Sequence, residues 1–181
     1  MRMSDSARQG IFARLIDDHR QITAMMEQIE ATAYDDAFDR ESLFDELKKE
    51  LLVHAHAEDT VVYRTLELYR STAHLIRVSR EEHALVEHLI DQLSALHDDD
   101  ERWMARFQVL QDLLEHHIDE EEGDLFDLAA DIVDRSQSED LVDEFEDARR
   151  REHARQAGGG ERRPQRDDRS LRDYDGREPG H

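Results

Sequence analysis

Two segments of the chain carry a glutamate four residues after a histidine on a mostly apolar helical stripe. In the first, His54 and Glu58 interrupt a stripe whose other members are Leu47, Leu51, Val61, Thr65 and Leu68. Steps of three and four residues form the inward face of a bundle helix, so both polar side chains are predicted to point inward, one turn apart. A buried imidazole and a buried carboxylate are costly without a partner, and a metal ion bonds to both. This spacing therefore indicates a metal site.

Three other inward stripes also carry a histidine. These histidines are His19, His83 and His117, and Glu121 follows His117 by four residues. Glu87 follows His83 at the same spacing, at the edge of its stripe. Each polar group would cost roughly 1 to 3 kcal/mol if it were buried and unpaired, so four histidines at one depth predict a shared metal centre.

Two positions beside the predicted ligands are alternatives to them. His116, in register with Glu120, is the alternative to His117, and Glu122 is the alternative to Glu121. A ferritin-like di-iron bundle is the nearest structural rival, but it needs Glu-x-x-His on two helices. The four long segments lack that spacing, and HExxH, the common metalloprotease signature, is absent as well.

An internal repeat relates the two halves of the chain. The segment DDHRQITAMM around His19 is similar to EEHALVEHLI around His83, and HAHAEDTVVY from His54 is similar to HIDEEEGDLF from His117. The offsets are 64 and 63 residues. Two helix pairs of common design predict a pseudo-twofold bundle with the metal near its axis.

Long helices are predicted to position these side chains, because both prolines and five of the seven glycines lie beyond residue 157. We predict four long helices and a shorter fifth one, at about 6–33, 41–69, 71–97, 98–134 and 136–155. Capping side chains are predicted at Ser71, at Asp98 with Glu101, and at Ser136 with Glu139. The predicted organisation is a bundle domain over 1–135, an additional helix over 136–156 and a disordered charged tail over 157–181.

Composition favours an all-α protein and limits the metal ligands to nitrogen and oxygen. Charged residues make up 39% and aromatic residues 6% of the chain, and cysteine is absent, which excludes a disulfide framework and a zinc–thiolate site. Residues 1–148 carry 14 basic and 39 acidic residues, whereas 149–181 carry ten arginines and seven acidic residues. An acidic body repels nucleic acid and anionic lipid. We therefore expect no nucleic-acid partner. Since no apolar run approaches membrane-spanning length, we also expect no membrane partner and a cytoplasmic location.

The order of these motifs resembles the hemerythrin-like, or HHE cation-binding, family. A histidine on the first helix, HxxxE on the second, a histidine on the third and HxxxE on the fourth carry the resemblance, which covers roughly residues 11–130. It implies an antiparallel up-down four-helix bundle around two non-haem iron ions with carboxylate and oxo or hydroxo bridges. The ligands implied by position are His19 and His54 for one iron, His83 and His117 for the other, and Glu58 and Glu121 as bridges.

The chain departs from the oxygen-carrying members of that family on its third and fourth helices. It has Glu87 where the carriers have a second histidine, and HxxxE where they have HxxxxD. These departures resemble the bacterial and F-box-associated members. Glu87 is therefore predicted as a seventh ligand, and an extra carboxylate would stabilise the ferric state and speed autoxidation.

Together these inferences predict a non-haem di-iron protein that binds or reacts with oxygen, nitric oxide or peroxide, in sensing, oxidative stress or iron handling. The alternatives are a peroxide-decomposing or oxidase-type di-iron enzyme and an iron-responsive binding module. Metal and oxygen binding is favoured over a dedicated enzyme, and no side chain is assigned a catalytic role. The sequence leaves open the choice between iron and other metals, the protein partner, the oligomeric state and the role of the tail.

Overall fold

The computed structural model describes residues 9–33, 39–97 and 100–159. All regular secondary structure in these ranges is helical, which confirms the predicted all-α class. The five main helices are α1 (Gly10–Ala31), α2 (Arg40–Ala57), α3 (Ala73–Ser94), α4 (Glu101–Glu120) and α5 (Arg135–Gly159). No helix in the described part of the chain has both the length and the apolar composition that a membrane crossing requires.

Two of these helices change geometry at a glutamate. α2 continues into a π-helical segment, Glu58–Tyr63, and a last α-helical turn, Arg64–Leu66. α4 continues in the same way into a π-helical segment, Glu121–Leu125, and the α-helical residues Phe126–Ala130. π-helical turns are rare and occur frequently at functional sites. The two halves of the repeat therefore share a local distortion as well as a motif.

The helix ends differ from the predicted ends by a few residues. α3 begins at Ala73 rather than near Ser71, and α5 extends to Gly159 rather than to about Arg155. Residues 157–159, predicted as the start of the tail, are thus helical. The rest of the predicted tail, 160–181, lies outside the described residues.

Aspartates cap three of the helices. The side chains that accept a hydrogen bond from a first-turn N–H are Asp39, Asp100 and Asp134. The predicted capping by Ser136 was wrong, because Asp134 and Gln137 form the reciprocal pair, with distances of 2.9 Å and 3.3 Å. Asp98 lies outside the described residues, and Asp100 caps α4 instead, since its carboxylate accepts from the second residue of that helix at 2.9 Å.

The buried apolar side chains form two clusters that alternate along the chain. Along α1, Ile11, Phe12 and Leu15 belong to the first cluster, and Ile22, Met26 and Ile29 belong to the second. α3 has the same order, whereas α2 and α4, with their continuations, begin in the second cluster and end in the first. In all four helices the predicted histidine lies between the two clusters.

α5 is packed into the first cluster and contacts α1 and α2. Its side chains Leu141 and Phe145 are buried there. Near its start, Ser138 Oγ accepts a hydrogen bond from the N–H of Ile11 at 3.0 Å. Gly10 permits this approach, because its φ is +56° and a Cβ at that position would lie 2.1 Å from the Ser138 hydroxyl oxygen.

Candidate metal centre

Six of the seven predicted ligands converge between the two apolar clusters. They are His19, His54, Glu58, His83, His117 and Glu121. Five of them are at most 4% exposed, and the side chain of His83 is 12% exposed. These six side chains come from four helices, as the spacing of the motifs predicted.

Each histidine presents the same ring nitrogen, Nε2, to a glutamate oxygen. The Nε2 atoms of His54 and His83 each lie 3.6 Å from Glu58 Oε2. Those of His19 and His117 lie 3.4 Å and 3.9 Å from Glu121 Oε2. The Nε2 atoms of His83 and His117 are 3.1 Å apart.

Among the described residues, three groups of three could each hold an ion: Glu82, His116 and Glu120 form one near the surface, and the other two lie at the buried centre. Of these two, one combines His19, His54 and Glu58, the other Glu58, His83 and His117, and in each group the ligand atoms lie within 4.8 Å of one another. Glu58 belongs to both buried groups, so one carboxylate is available to two cations.

The unpartnered atoms at this site provide a test of whether a metal fits. Among the described residues, six buried side-chain atoms lack a hydrogen-bond partner, and five belong to this centre: His19 Nε2, His54 Nε2, both oxygens of Glu58 and Glu121 Oε2. Each would cost about 1 to 3 kcal/mol if it stayed unsatisfied. Imidazole nitrogens and carboxylate oxygens are ligands of iron, manganese and zinc, so metal binding at this centre would give these atoms partners.

The opposite ring nitrogen, Nδ1, contacts a carboxylate in three of the histidines. His19 Nδ1 is 2.9 Å from Glu122, His54 Nδ1 is 3.3 Å from Asp18, and His117 Nδ1 is 2.9 Å from Glu82. A carboxylate on Nδ1–H fixes the ring and leaves Nε2 free to bind a metal. Such contacts are typical of metal-binding histidines.

Sequence reasoning missed the roles of Asp18 and Glu82. Each immediately precedes a predicted ligand histidine, yet each contacts a histidine on the following helix. The available signal was the pair of acidic residues before His19 and His83, which belongs to the internal repeat. Nothing in that pattern shows which histidine the carboxylates contact.

An aromatic residue nine positions after each HxxxE histidine breaks the symmetry of the repeat. Tyr63 stacks on His83, with ring centroids 5.5 Å apart, and Phe126 stacks on His19 at 6.3 Å. The Tyr63 hydroxyl donates a hydrogen bond of 2.6 Å to Glu121 Oε1. Phe126 has no hydroxyl to offer, and both oxygens of Glu58 stay unpartnered.

Burial and mutual proximity shift the pKa values of the two central glutamates in opposite directions. Burial and the charge of Glu121 raise the pKa of Glu58 well above its usual value. Burial alone would also raise the pKa of Glu121, but the nearby imidazoles of His19 and His117 hold it below its usual value. Burial would lower the pKa of His19, yet contacts with Glu121 and Glu122 raise it to about 10. Protons therefore neutralise part of the metal-free centre, and a cation must compete with them.

A small cavity adjoins the four histidines. Its volume is about 20 Å³, which is enough for a water molecule or a diatomic gas and too small for an organic substrate. Apart from the histidines, the wall is apolar and consists of Ile22, Leu51, Ala55, Val86, Leu114 and Ile118.

A surface cleft of about 310 Å³ reaches His83 from the outside. Its wall combines charged or polar side chains with two alanines: His56, Asp59, Arg80 and Glu87, with Ala55 and Ala84. Ala55 and His83 line both the cleft and the small cavity, so the two spaces adjoin at these residues. Within the described residues, His83 is thus the centre's most solvent-accessible ligand candidate.

Glu87 is not brought into the buried centre. Its side chain is exposed and lies in the cleft, because the inward face of α3 at this point is formed by Val86 and Ile90. The assignment of Glu87 as a metal ligand stays a prediction from spacing.

The two alternative positions face elsewhere. His116 is 61% exposed and lies 3.9 Å from Glu82 and 3.6 Å from Glu120, whereas His117 is buried with the other histidines. Glu122 contacts His19 Nδ1 from outside the central group, and Glu121 lies within it. The structure therefore brings His117 and Glu121 to the centre.

Comparison with known proteins identifies one family. A model of the hemerythrin HHE cation binding domain matches residues 7–129, a range that contains all six converging side chains and ends before α5. No match was found among curated proteins or solved structures.

Proposed function

The chain belongs to the hemerythrin HHE cation-binding family, and we propose that its buried histidines and glutamates hold a non-haem di-iron centre that binds or reacts with oxygen, nitric oxide or peroxide. Membership in this family indicates metal binding. The observation that carries the proposal is the convergence of five unpartnered buried ligand atoms on one place. A protein interior keeps such atoms when a cation binds them.

The proposed ligands fall into two sets. His19 and His54 bind one ion, His83 and His117 bind the other, and Glu58 and Glu121 connect them. The two three-residue groups that share Glu58 support this division, and the Nε2 atoms beside Glu121 support a second connection. Glu87 is left outside the set, since it would have to turn inward from the cleft.

The proposed architecture is an antiparallel up-down four-helix bundle over residues 1–135, followed by an additional helix. The alternation of the two apolar clusters along α1 to α4 supports this arrangement, because each helix enters the cluster in which the previous one ended. In such a bundle the metal ions lie between two apolar layers.

The chain's own residues define which molecules can reach the metals. A bound iron pair supplies electrons and an open coordination position. The small apolar cavity limits access to molecules of about two heavy atoms, and the carboxylates on Nδ1 hold three of the imidazoles in orientation. The Tyr63 hydroxyl holds a proton beside Glu121.

The cleft at His83 favours the enzymatic alternative, a peroxide-decomposing or oxidase-type catalyst, because it offers a route to the metals from solvent. Measurement of catalytic turnover distinguishes the enzyme from a binding or sensing protein. Catalytic removal of peroxide by the iron-loaded protein supports the enzyme, whereas binding of nitric oxide or oxygen without turnover supports a binding or sensing role.

Metal analysis with an optical spectrum of the aerobically purified protein tests the proposal. We expect two iron ions per chain and the near-ultraviolet absorption of an oxo-bridged ferric pair. The adjacent histidines supply a matched pair of variants: His117→Ala should lower the iron content, and His116→Ala should leave it unchanged. Absence of bound metal, or equal behaviour of the two variants, would contradict the proposal.

A further inference from the structure

α5 lies beyond the matched family domain, yet one of its side chains contacts a carboxylate that itself contacts the centre. Arg149 is 11% exposed and donates hydrogen bonds to Asp18 Oδ2 and, at 3.0 Å, to Glu50 Oε2. The planar guanidinium can contact two carboxylates at once, which a lysine ammonium does less well. Arg149 therefore ties α5 to a buried residue of α1 and to α2.

The residue it contacts, Asp18, is itself in contact with a metal-binding histidine. Asp18 is 2% exposed, and its Oδ2 atom is shared by Arg149 and by His54 Nδ1, which is 3.3 Å away. Arg14 donates to the other oxygen, Oδ1. Both oxygens of Asp18 are thus fixed, and so is the direction in which it holds the His54 ring.

We propose that Arg149 is a positioning residue of the metal centre: it holds Asp18 so that Asp18 orients His54, which makes α5 part of the site that binds the His19–His54 ion. This inference rests on the proposed di-iron function. A helix that the family domain does not include then sets the affinity of one of the two ions.

The second half of the repeat provides an internal control. Glu82 is the equivalent of Asp18, and it contacts His117 Nδ1 at 2.9 Å. Its other oxygen faces His116, an exposed residue of α4, at 3.9 Å. Loss of Arg149 should therefore weaken binding of the His19–His54 ion and leave binding of the His83–His117 ion unchanged.

Anaerobic titration of the full chain with ferrous iron against a chelator of known affinity tests this inference. Removing the partner of a metal-binding histidine typically costs 10-fold to 100-fold in metal affinity, and Arg149 is one step further away, so we expect Arg149→Ala to weaken one ion by about tenfold and change the other by less than about twofold. Arg149→Lys, which keeps the charge, should recover part of the loss.

Two control variants on α5 separate positioning from general destabilisation. Leu141→Ala opens the first cluster beneath α5 without touching Asp18, and should lower the melting temperature while keeping the ratio of the two affinities. Arg151→Ala removes a charge from a side chain that is 80% exposed, and should change neither the melting temperature nor the ratio of the two affinities. In the cobalt-substituted protein, the exchangeable Nδ1–H proton signal of His54 should shift or broaden in Arg149→Ala and persist in Leu141→Ala.

The outcomes distinguish the two proposals. If the wild-type chain binds two ions and Arg149→Ala weakens both equally or neither, the positioning role is overturned and the di-iron proposal stands. If the wild-type chain binds no iron, both fall. Selective weakening of one ion with recovery by lysine supports the positioning role.

Discussion

The two halves of the metal centre have the same repeat and different surroundings. In the covered half, formed by His19 and His54, Asp18 is held by Arg149 of α5, and Phe145 lies edge-on to His54 with centroids 6.3 Å apart. In the cleft half, formed by His83 and His117, the cleft reaches His83. The difference shows that a repeat can supply two similar sets of ligands while a later helix covers only one of them.

This asymmetry gives the two proposed ions different roles. The covered half lies under α5 and is held by charged contacts from two arginines, Arg14 and Arg149. The cleft half is accessible to small molecules through a polar surface. We therefore expect the covered ion to be the more tightly held and the cleft ion to exchange and react faster.

Glu58→Gln should produce the largest effect, because Glu58 is common to both groups of ligands. We expect loss of both ions, measured as iron per chain. The metal-free protein should gain stability, since a buried carboxylate with two unpartnered oxygens is replaced by a neutral amide. Glu87→Gln is the matched control on the exposed side of α3 and should keep both ions. Two irons per chain in Glu58→Gln would contradict the shared-carboxylate arrangement.

A narrower passage should slow ligand binding at the cleft half. Ala55 lines both the cleft and the small cavity, so Ala55→Leu should slow nitric oxide binding by about tenfold, which corresponds to a barrier about 1.4 kcal/mol higher. The measurement is stopped-flow kinetics at unchanged iron content. Ala84→Leu, which lines the cleft alone, serves as the comparison. If Ala55→Leu binds ligand as fast as the wild type does, entry does not use this route.

Tyr63→Phe should make the two halves more alike. The variant leaves Glu121 Oε1 without the hydrogen bond of 2.6 Å, and an unsatisfied buried acceptor costs about 1 to 3 kcal/mol. Urea unfolding of the metal-free protein measures this loss. Phe126→Leu, at the equivalent position of the covered half, removes packing and no hydrogen bond. Unchanged stability in Tyr63→Phe would show that the hydroxyl does not stabilise Glu121.

Replacement of two glycines by alanine should change the stability in opposite directions, and these effects should be the smallest. Gly10→Ala places a Cβ against Ser138 at a residue with positive φ, so the free energy of unfolding should fall by about 1 kcal/mol or more. Gly123 has open space where its Cβ would lie, and Gly123→Ala should stabilise the helix by about 0.5 to 1 kcal/mol. Thermal unfolding of both variants checks the pair. A Gly10→Ala variant with unchanged stability would mean that α5 can move away from α1 without lowering the free energy of unfolding.

The convergence of the six side chains at the centre was largely predictable from the sequence, because spacing of three and four residues fixes which side chains face inward. That rule identified His19, His54, His83 and His117 and the two glutamates that lie among them. Glu87 satisfies the spacing but lies just outside the apolar face of α3, and its assignment as a ligand stays a prediction.

Other features could not be predicted because they depend on contacts between helices. The histidine that Asp18 contacts is on α2 and the histidine that Glu82 contacts is on α4, and single-helix periodicity contains no information about either. The π-helical segments at Glu58–Tyr63 and Glu121–Leu125 change the backbone hydrogen-bond register without changing residue types. The contact between Arg149 and Asp18 was not predictable either, because the sequence indicates a helix at 136–156 but not which helices it packs against.

The most direct test is a crystal structure of the iron-loaded full chain with anomalous data collected at the iron absorption edge. The account predicts two anomalous peaks between the apolar clusters, one beside the Nε2 atoms of His19 and His54 and one beside those of His83 and His117, with Glu58 in contact with both. A single peak, or iron bound only at Glu82 together with the exposed His116 and Glu120, would contradict it.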